Sequence, residues 1–121
     1  MLLRDLQRLK RIKQYCEDIQ SSICRYGSSL EDFLSDSHYQ HAVAFCILQI
    51  GELAVSLTQE YRDSTKNRIQ WKQIREMRNI VVHDYGNVNL KIVWAVATYD
   101  IPELRQFCDE QLASEEQANE P

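Results

Sequence analysis

The chain has 121 residues and a mass of 14.3 kDa, and its 44% hydrophobic and 26% charged residues are the balance of one globular domain. Its 3 Gly and 2 Pro are too few for the turns of a β-sandwich or β-barrel, and polar residues interrupt every apolar stretch before it reaches the length of a membrane span. The net charge of −4 excludes a protein that coats nucleic acid through bulk charge, although it leaves a local basic cleft open.

The N-terminus and the cysteines are typical of a cytoplasmic protein. Arg and Lys are scattered through the first residues, where a signal peptide would carry an apolar run. The cysteines form no CxxC pair and no zinc-finger spacing, and three of them fall on apolar helix faces. We therefore expect reduced thiols at Cys16, Cys24, Cys46 and Cys108.

Apolar residues at steps of three and four predict a first helix over residues 2–22, and the chain is expected to turn at Gly27. Ser28 or Ser29 precedes acidic residues and is expected to cap a short helical turn over residues 30–34.

A long second helix is predicted next, with Asp36 or Ser37 as its N-cap and its end near Tyr61. Its apolar stripe makes it the hydrophobic centre of the chain. Residues 62–68 are polar and are expected to form a connection.

A further helix begins at Trp71 and is expected to stop at Gly86. Asn87 or Asn89 then caps a short apolar segment, and Pro102 opens the last helix.

The predicted elements give an all-α fold, an antiparallel bundle with four main helices and one or two short ones. The helical domain is expected to span residues 1–113. Residues 114–121 carry no large apolar side chain and are expected to form a disordered acidic tail.

Arg78 is the unusual residue of the predicted third long helix. A helix that buries Trp71 and Ile74 aims Arg78 along its apolar face, where an unpaired charge is costly. Its guanidinium must reach solvent, pair with an acid or face a cleft. Glu52 is the candidate acid, and Gly51 beside it would let the two helices approach closely.

His83 follows Arg78 by five positions, where the helix is expected to end. The negative end of the helix dipole favours the charged imidazole there. If the helix tightens, a cation and a titratable base share one helix end; otherwise His83 only caps the helix.

Residues 78–85 read R-N-x-x-x-H-x-Y, which resembles the signature of the HEPN superfamily, specifically the HepT-like ribonuclease toxins. The resemblance covers about residues 1–112. The flanking matches are Phe33, Asp36, Ile50-Gly51-Glu52, Trp71, Ile74, Val93-Trp94 and Pro102-Glu103-Leu104.

This resemblance implies a HEPN-like fold and a metal-independent endoribonuclease without a cofactor, which cleaves an RNA such as tRNA or mRNA. Arg78 and His83 would be catalytic, facing a cleft shared by two subunits, with Asn79, Tyr85 and Glu52 in supporting or substrate-binding roles. The residue types suit this chemistry, because a base must take the 2′-OH proton and a fixed cation must stabilise the phosphorane.

The resemblance also implies the toxin of a toxin–antitoxin pair, silenced when a minimal nucleotidyltransferase attaches AMP to Tyr85. We expect a homodimer whose interface uses the apolar side of the helix from Trp71 to His83 and the long helix before it.

Other candidate residues have simpler interpretations. His38 and His41 lack a third ligand at metal-site spacing and are expected at the surface or the core edge. Trp71 and Trp94 are expected to anchor the core. A basic cluster near the N-terminus is interpreted as a solvated helix face, with an RNA or antitoxin surface as the alternative; it comprises Arg8, Lys10, Arg11 and Lys13.

A second function, from another class, is a catalytically silent helical dimer that serves as a binding or scaffold module for a nucleotidyltransferase. The acidic overall charge and the lack of a second basic motif keep this alternative open. A deaminase or nucleotidyltransferase activity of this chain has little support, because the chain lacks their metal-binding and phosphate-binding motifs.

Overall fold

The structure, a computed structural model, describes residues 1–82 and 89–119; for residues 80–82, 118 and 119 it describes the backbone only. Every regular element in this part of the chain is helical, which confirms the all-α prediction. The elements are α1 (Leu3–Tyr26), α2 (Leu30–Leu34), α3 (Ser37–Ser56), α4 (Gln59–Thr65), α5 (Trp71–Val82), α6 (Leu90–Ala95), a π-helical turn (Val96–Asp100) and α7 (Ile101–Asn119).

The helix α3 is the centre of the bundle, as predicted, and packs against both α1 and α5, while α1 also packs against α7. The helices α1 and α3 are antiparallel, because Asp5 near the start of α1 bonds to Thr58 after α3, and Gly27 after α1 bonds to Tyr39 near the start of α3. The stripe of α1 that faces the core is fully buried and consists of Leu9, Ile12, Cys16 and Ile19.

The turn between α1 and α2 forms as the sequence predicts. Gly27 ends α1 with a φ of 123°, a conformation that side chains rarely adopt. Ser29 and Asp32 form a capping box, in which each side chain accepts a hydrogen bond from the backbone N–H of the other residue. The Asp36 side chain then caps α3.

The prediction of one long helix to Tyr61 is wrong. The chain breaks at Leu57 and forms two helices, α3 and α4, which meet at 105°. Thr58 caps α4: its Oγ1 accepts the Tyr61 N–H at 3.2 Å. Thr58 also donates from N–H and Oγ1 to the buried Asp5 carboxylate at 2.8 and 2.7 Å. Asp5 therefore holds the break from a neighbouring helix, a tertiary contact that helical periodicity does not contain.

The helix α4 also occupies most of the connection expected over residues 62–68, so the chain has more short helices than predicted. Asn89 caps α6, as one of the two predicted caps, and Pro102 is the second residue of α7. The helix α7 runs to Asn119 and so includes residues expected in the tail, since Glu and Gln there are good helix formers.

No single helix in the described part of the chain combines the length and apolarity of a membrane span; α3 and α4 reach them only together, across their sharp bend.

Candidate active site

The described apolar side chains of α5 pack within their own protomer. Trp71, Ile74 and Met77 are buried, and the Trp71 indole donates a 2.8 Å hydrogen bond to Thr65 Oγ1. Trp71 therefore anchors the core, as predicted, and Trp94 packs at a ring distance of 5.2 Å from buried Phe33. This packing fixes the rotation of α5 about its axis.

With α5 fixed in this way, Arg78 lies at the edge of the contact with α3, its side chain 37% exposed. Its Nη1 donates a 2.8 Å hydrogen bond to Oε1 of Glu52, which is itself 52% exposed. The guanidinium thus reaches solvent and also pairs with an acid. These are two of the three arrangements that the sequence left open for Arg78. A pair this exposed contributes about 0–1 kcal/mol to stability, so its main effect is to orient the guanidinium.

Gly51 permits the close approach of α3 and α5 at this point. A Cβ built on Gly51 would lie 2.8 Å from the Arg78 Cβ and 3.5 Å from its backbone nitrogen. These atoms belong to the base of the side chain and to the helix itself, so a larger residue would displace α5. Gly51 and Glu52 together set both the position and the direction of Arg78.

The other residues of the motif are only partly placed. Asn79 follows Arg78 on α5 and is exposed, available to a ligand that reaches Arg78. His83 and Tyr85 lie outside the described residues, so their predicted roles stay predictions.

The expected surface position of His38 and His41 is confirmed, and the N-terminal basic cluster is partly paired within the protein. His38 and His41 are exposed on α3, and the described residues contain no cluster of three His, Cys, Asp or Glu side chains that could hold a metal. In the N-terminal basic cluster, Arg8 donates to Ser56 at 2.8 Å and Lys13 pairs with Asp109 at 2.9 Å. Two of the four cations in this cluster thus make contacts between helices within the protein.

A surface that the sequence interpretation missed runs along α3. Its side chains recur at steps of four and three and are exposed or half-buried, with Phe45 54% exposed. We call this surface the α3 outer stripe; it consists of His41, Phe45, Leu48, Glu52 and Val55. The signal was present, because α3 carries apolar residues outside the stripe needed for its own core. Glu52 places the α3 outer stripe beside Arg78.

Comparison with known proteins gives a consistent result. The family described as Ribonuclease HepT-like matches residues 6–111. A "Putative RNase" of Caldanaerobacter subterraneus subsp. tengcongensis is 34% identical over 107 residues, covering 88% of this chain and 93% of that protein. A "Probable ribonuclease HepT" of Thermococcus cleftensis is 30% identical over 98 residues, covering 77% and 88%. No solved structure gives a significant match.

Proposed function

Because the chain belongs to the HepT-like ribonuclease family, we propose that it is an endoribonuclease whose site is built on Arg78 and His83. The observation that carries this proposal is the exposed Arg78 guanidinium, held at 2.8 Å by Glu52 on a helix that Gly51 brings close. A fixed, permanently charged fork is suited to bind two oxygens of a phosphodiester.

In the proposed reaction, His83 takes the proton of the ribose 2′-OH. The 2′-oxygen forms a bond to phosphorus, and the bond from phosphorus to the 5′-oxygen breaks. Arg78 stabilises the negative charge of the phosphorane, the departing 5′-oxygen takes up a proton from solvent water, and His83 returns its proton to solvent. The products are a 2′,3′-cyclic phosphate and a 5′-OH. No step requires a metal or a cofactor, and Asn79 supplies a further donor for the phosphate.

The proposal includes a homodimer, and of the two helices expected at its interface we assign the contact to the long helix, α3. The described apolar side chains of α5, Trp71, Ile74 and Met77, are buried within the protomer. The α3 outer stripe suits such an interface, because it exposes the apolar side chains of Phe45 and Val55 and lies, through Glu52, beside Arg78. A second copy seated there would bring two Arg78 side chains toward one cleft.

Sedimentation at micromolar concentration, under reducing conditions, tests the dimer. We expect about twice the protomer mass of 14.3 kDa for the native chain and a shift toward the monomer for Phe45→Glu. A native chain that sediments only as a monomer would contradict the shared cleft.

We also propose that this ribonuclease is a cytoplasmic toxin silenced by a minimal nucleotidyltransferase that attaches AMP to Tyr85. The adduct would add a phosphodiester charge and a bulky nucleoside two positions from His83, where it would compete with RNA. Mass spectrometry after co-expression with the partner and ATP tests this, with Tyr85→Phe as the control. An adduct elsewhere, or none, would contradict the regulation but leave the ribonuclease standing.

The ribonuclease itself is tested with purified protein and a structured RNA such as tRNA at neutral pH in EDTA. We expect cleavage by the native chain and a loss of about a hundredfold or more in rate for Arg78→Ala, which removes a charge-stabilising donor, and for His83→Ala, which removes the base. The matched control is Arg25→Ala, which removes an exposed cation from α1. If the native chain does not cleave RNA and instead forms a tight complex with its partner, the scaffold module is the correct function.

A further inference from the structure

Positive charge is concentrated in one segment of this acidic protein. Residues 62–78 contain six of the 14 Lys and Arg residues and two of the 18 Asp and Glu residues, so the segment carries +4 and the rest of the chain −8. The segment comprises α4 from its middle, the connection to α5, and α5 as far as Arg78. The net charge of −4 hides this asymmetry.

The structure folds the segment around a surface pocket of about 300 Å³. Four cations line it, together with one acid, Asp63, and the pocket also includes Trp71 and Ile69. The four cations are Arg62, Lys66, Lys72 and Arg75. We call this the α4–α5 basic pocket, and its charge suits an anionic ligand.

One donor in this pocket lacks a partner. The Nε of Arg62 is buried and makes no hydrogen bond to the described residues, while its Nη2 bonds to Gln59 at 3.2 Å. A buried donor of this kind is costly unless a ligand or water satisfies it. Because this Nε is buried, a ligand in the pocket does not reach it, and the charge of the four cations is what favours an anion there.

The pocket is continuous with the proposed site. Lys72 and Arg75 are exposed on α5, and Arg75 precedes Arg78 by one helical turn, about 4.5 Å along the axis. A strand held at Arg78 therefore passes the pocket without a sharp bend. This continuity favours a polyanion over a separate small anion.

We propose that the α4–α5 basic pocket binds the phosphates of the RNA strand next to the cleaved bond. The inference rests on the proposed ribonuclease function and extends it with a substrate-binding surface. The Trp71 ring is buried and its indole N–H is bonded within the protein, so the pocket offers charge and no exposed aromatic face for base stacking. It therefore adds affinity without selecting sequence.

The test compares two triple variants that each change the net charge from −4 to −7. The pocket variant is Lys66→Gln/Lys72→Gln/Arg75→Gln, and the control variant is Lys10→Gln/Arg11→Gln/Arg25→Gln, on exposed positions of α1. Anisotropy with a labelled single-stranded 2′-O-methyl RNA measures binding, because this analogue lacks the nucleophile and cannot be cleaved. Thermal melting checks that both variants fold.

We expect the pocket variant to bind about tenfold more weakly or worse at low salt, and the slope of log K against log salt to fall by about 2, the value for three lost phosphate contacts. The control should change affinity less than about threefold. Cleavage of long RNA by the pocket variant should show a raised KM, with kcat changed less than KM, because contacts made equally to substrate and transition state affect KM.

Equal weakening by both triples would show a bulk-charge effect and overturn the proposal. Unchanged RNA binding, with lost binding to an acidic partner protein, would overturn it in favour of a protein interface. Failure of the ribonuclease is seen separately, as a native chain that does not cleave unmodified RNA, since the binding measurements do not require cleavage.

Discussion

Glu52 is, at the scale of single residues, a positioning group for Arg78. The exposed pair contributes only about 0–1 kcal/mol to stability, but it fixes one nitrogen of the guanidinium at 2.8 Å from Glu52. The remaining nitrogens are then presented in a fixed plane, which is what recognition of a phosphate by a fork requires.

We expect Glu52→Ala to lower kcat about tenfold while the free energy of unfolding changes by less than about 0.5 kcal/mol, the usual range for an exposed side chain. Glu52→Gln keeps an acceptor oxygen at the same position and should recover much of the loss. RNA cleavage and denaturant unfolding measure the two quantities. A Gln variant as slow as the Ala variant would mean that charge, not orientation, is what Glu52 supplies.

A second prediction for a single residue concerns the stability of Gly51→Ala. In Gly51→Ala the added methyl must push against the base of Arg78, an overpacking cost of about 1–3 kcal/mol, while the helix gains about 1 kcal/mol in propensity. Stability should therefore fall by no more than about 2 kcal/mol.

In Gly51→Ala the cleavage rate should fall more than the small loss of stability would explain. A shift of about 1 Å in a positioned group can lower a rate a hundredfold. The measurement is single-turnover cleavage at a temperature where the variant is fully folded. Native activity in a folded Ala variant would show that the close approach of α3 and α5 does not matter to the site.

The elements differ in how well the sequence predicts them. Caps and turns that depend on neighbouring residues were predictable, as at Gly27, Ser29 and Asp36. The break between α3 and α4 was not, because apolar residues continue across Leu57 and the decisive partner, Asp5, lies 53 positions away. Arg78 and Glu52 were predictable as a pair only because a buried helix face makes an unpaired charge costly.

The break itself can be tested with Thr58. Thr58→Val keeps the shape of the side chain but removes the hydroxyl that caps α4 and donates to Asp5. We expect a loss of about 2–4 kcal/mol, because a helix cap is lost and a buried carboxylate loses a donor.

Thr58→Ser retains both hydrogen bonds and is the matched control, which should stay within about 1 kcal/mol of the native chain. Urea unfolding followed by circular dichroism measures both variants. If Val and Ser variants are equally stable, the bend is held by apolar packing and not by Thr58.

Two buried thiols and a buried tyrosine hydroxyl make the stability of the whole molecule decrease at alkaline pH. Burial raises the pKa of Cys108 from 9.0 to about 12 and that of Tyr39 from 10.0 to about 12, and it also raises the pKa of Cys16. The folded state holds these protons more tightly than the unfolded state. Their stabilising contribution is therefore complete below about pH 9 and is lost as the pH rises toward 12.

We expect the free energy of unfolding to fall by about 3 kcal/mol between pH 8 and pH 10, from the two fully buried thiols alone. Urea titrations at these two pH values, in the presence of reductant, measure the difference. Equal stability at both would mean that these thiols ionise in the folded protein as readily as in the unfolded chain.

The same burial leaves one cysteine accessible to a thiol-reactive label. Of the four cysteines, Cys24 is exposed near the end of α1, while Cys16, Cys46 and Cys108 are enclosed in the core. A maleimide dye at neutral pH should therefore attach once per protomer, without engineered sites. In a symmetric pair of protomers, the separation of two such dyes is one distance, fixed by the two-fold axis, so energy transfer would report how the copies are arranged while RNA or a partner binds.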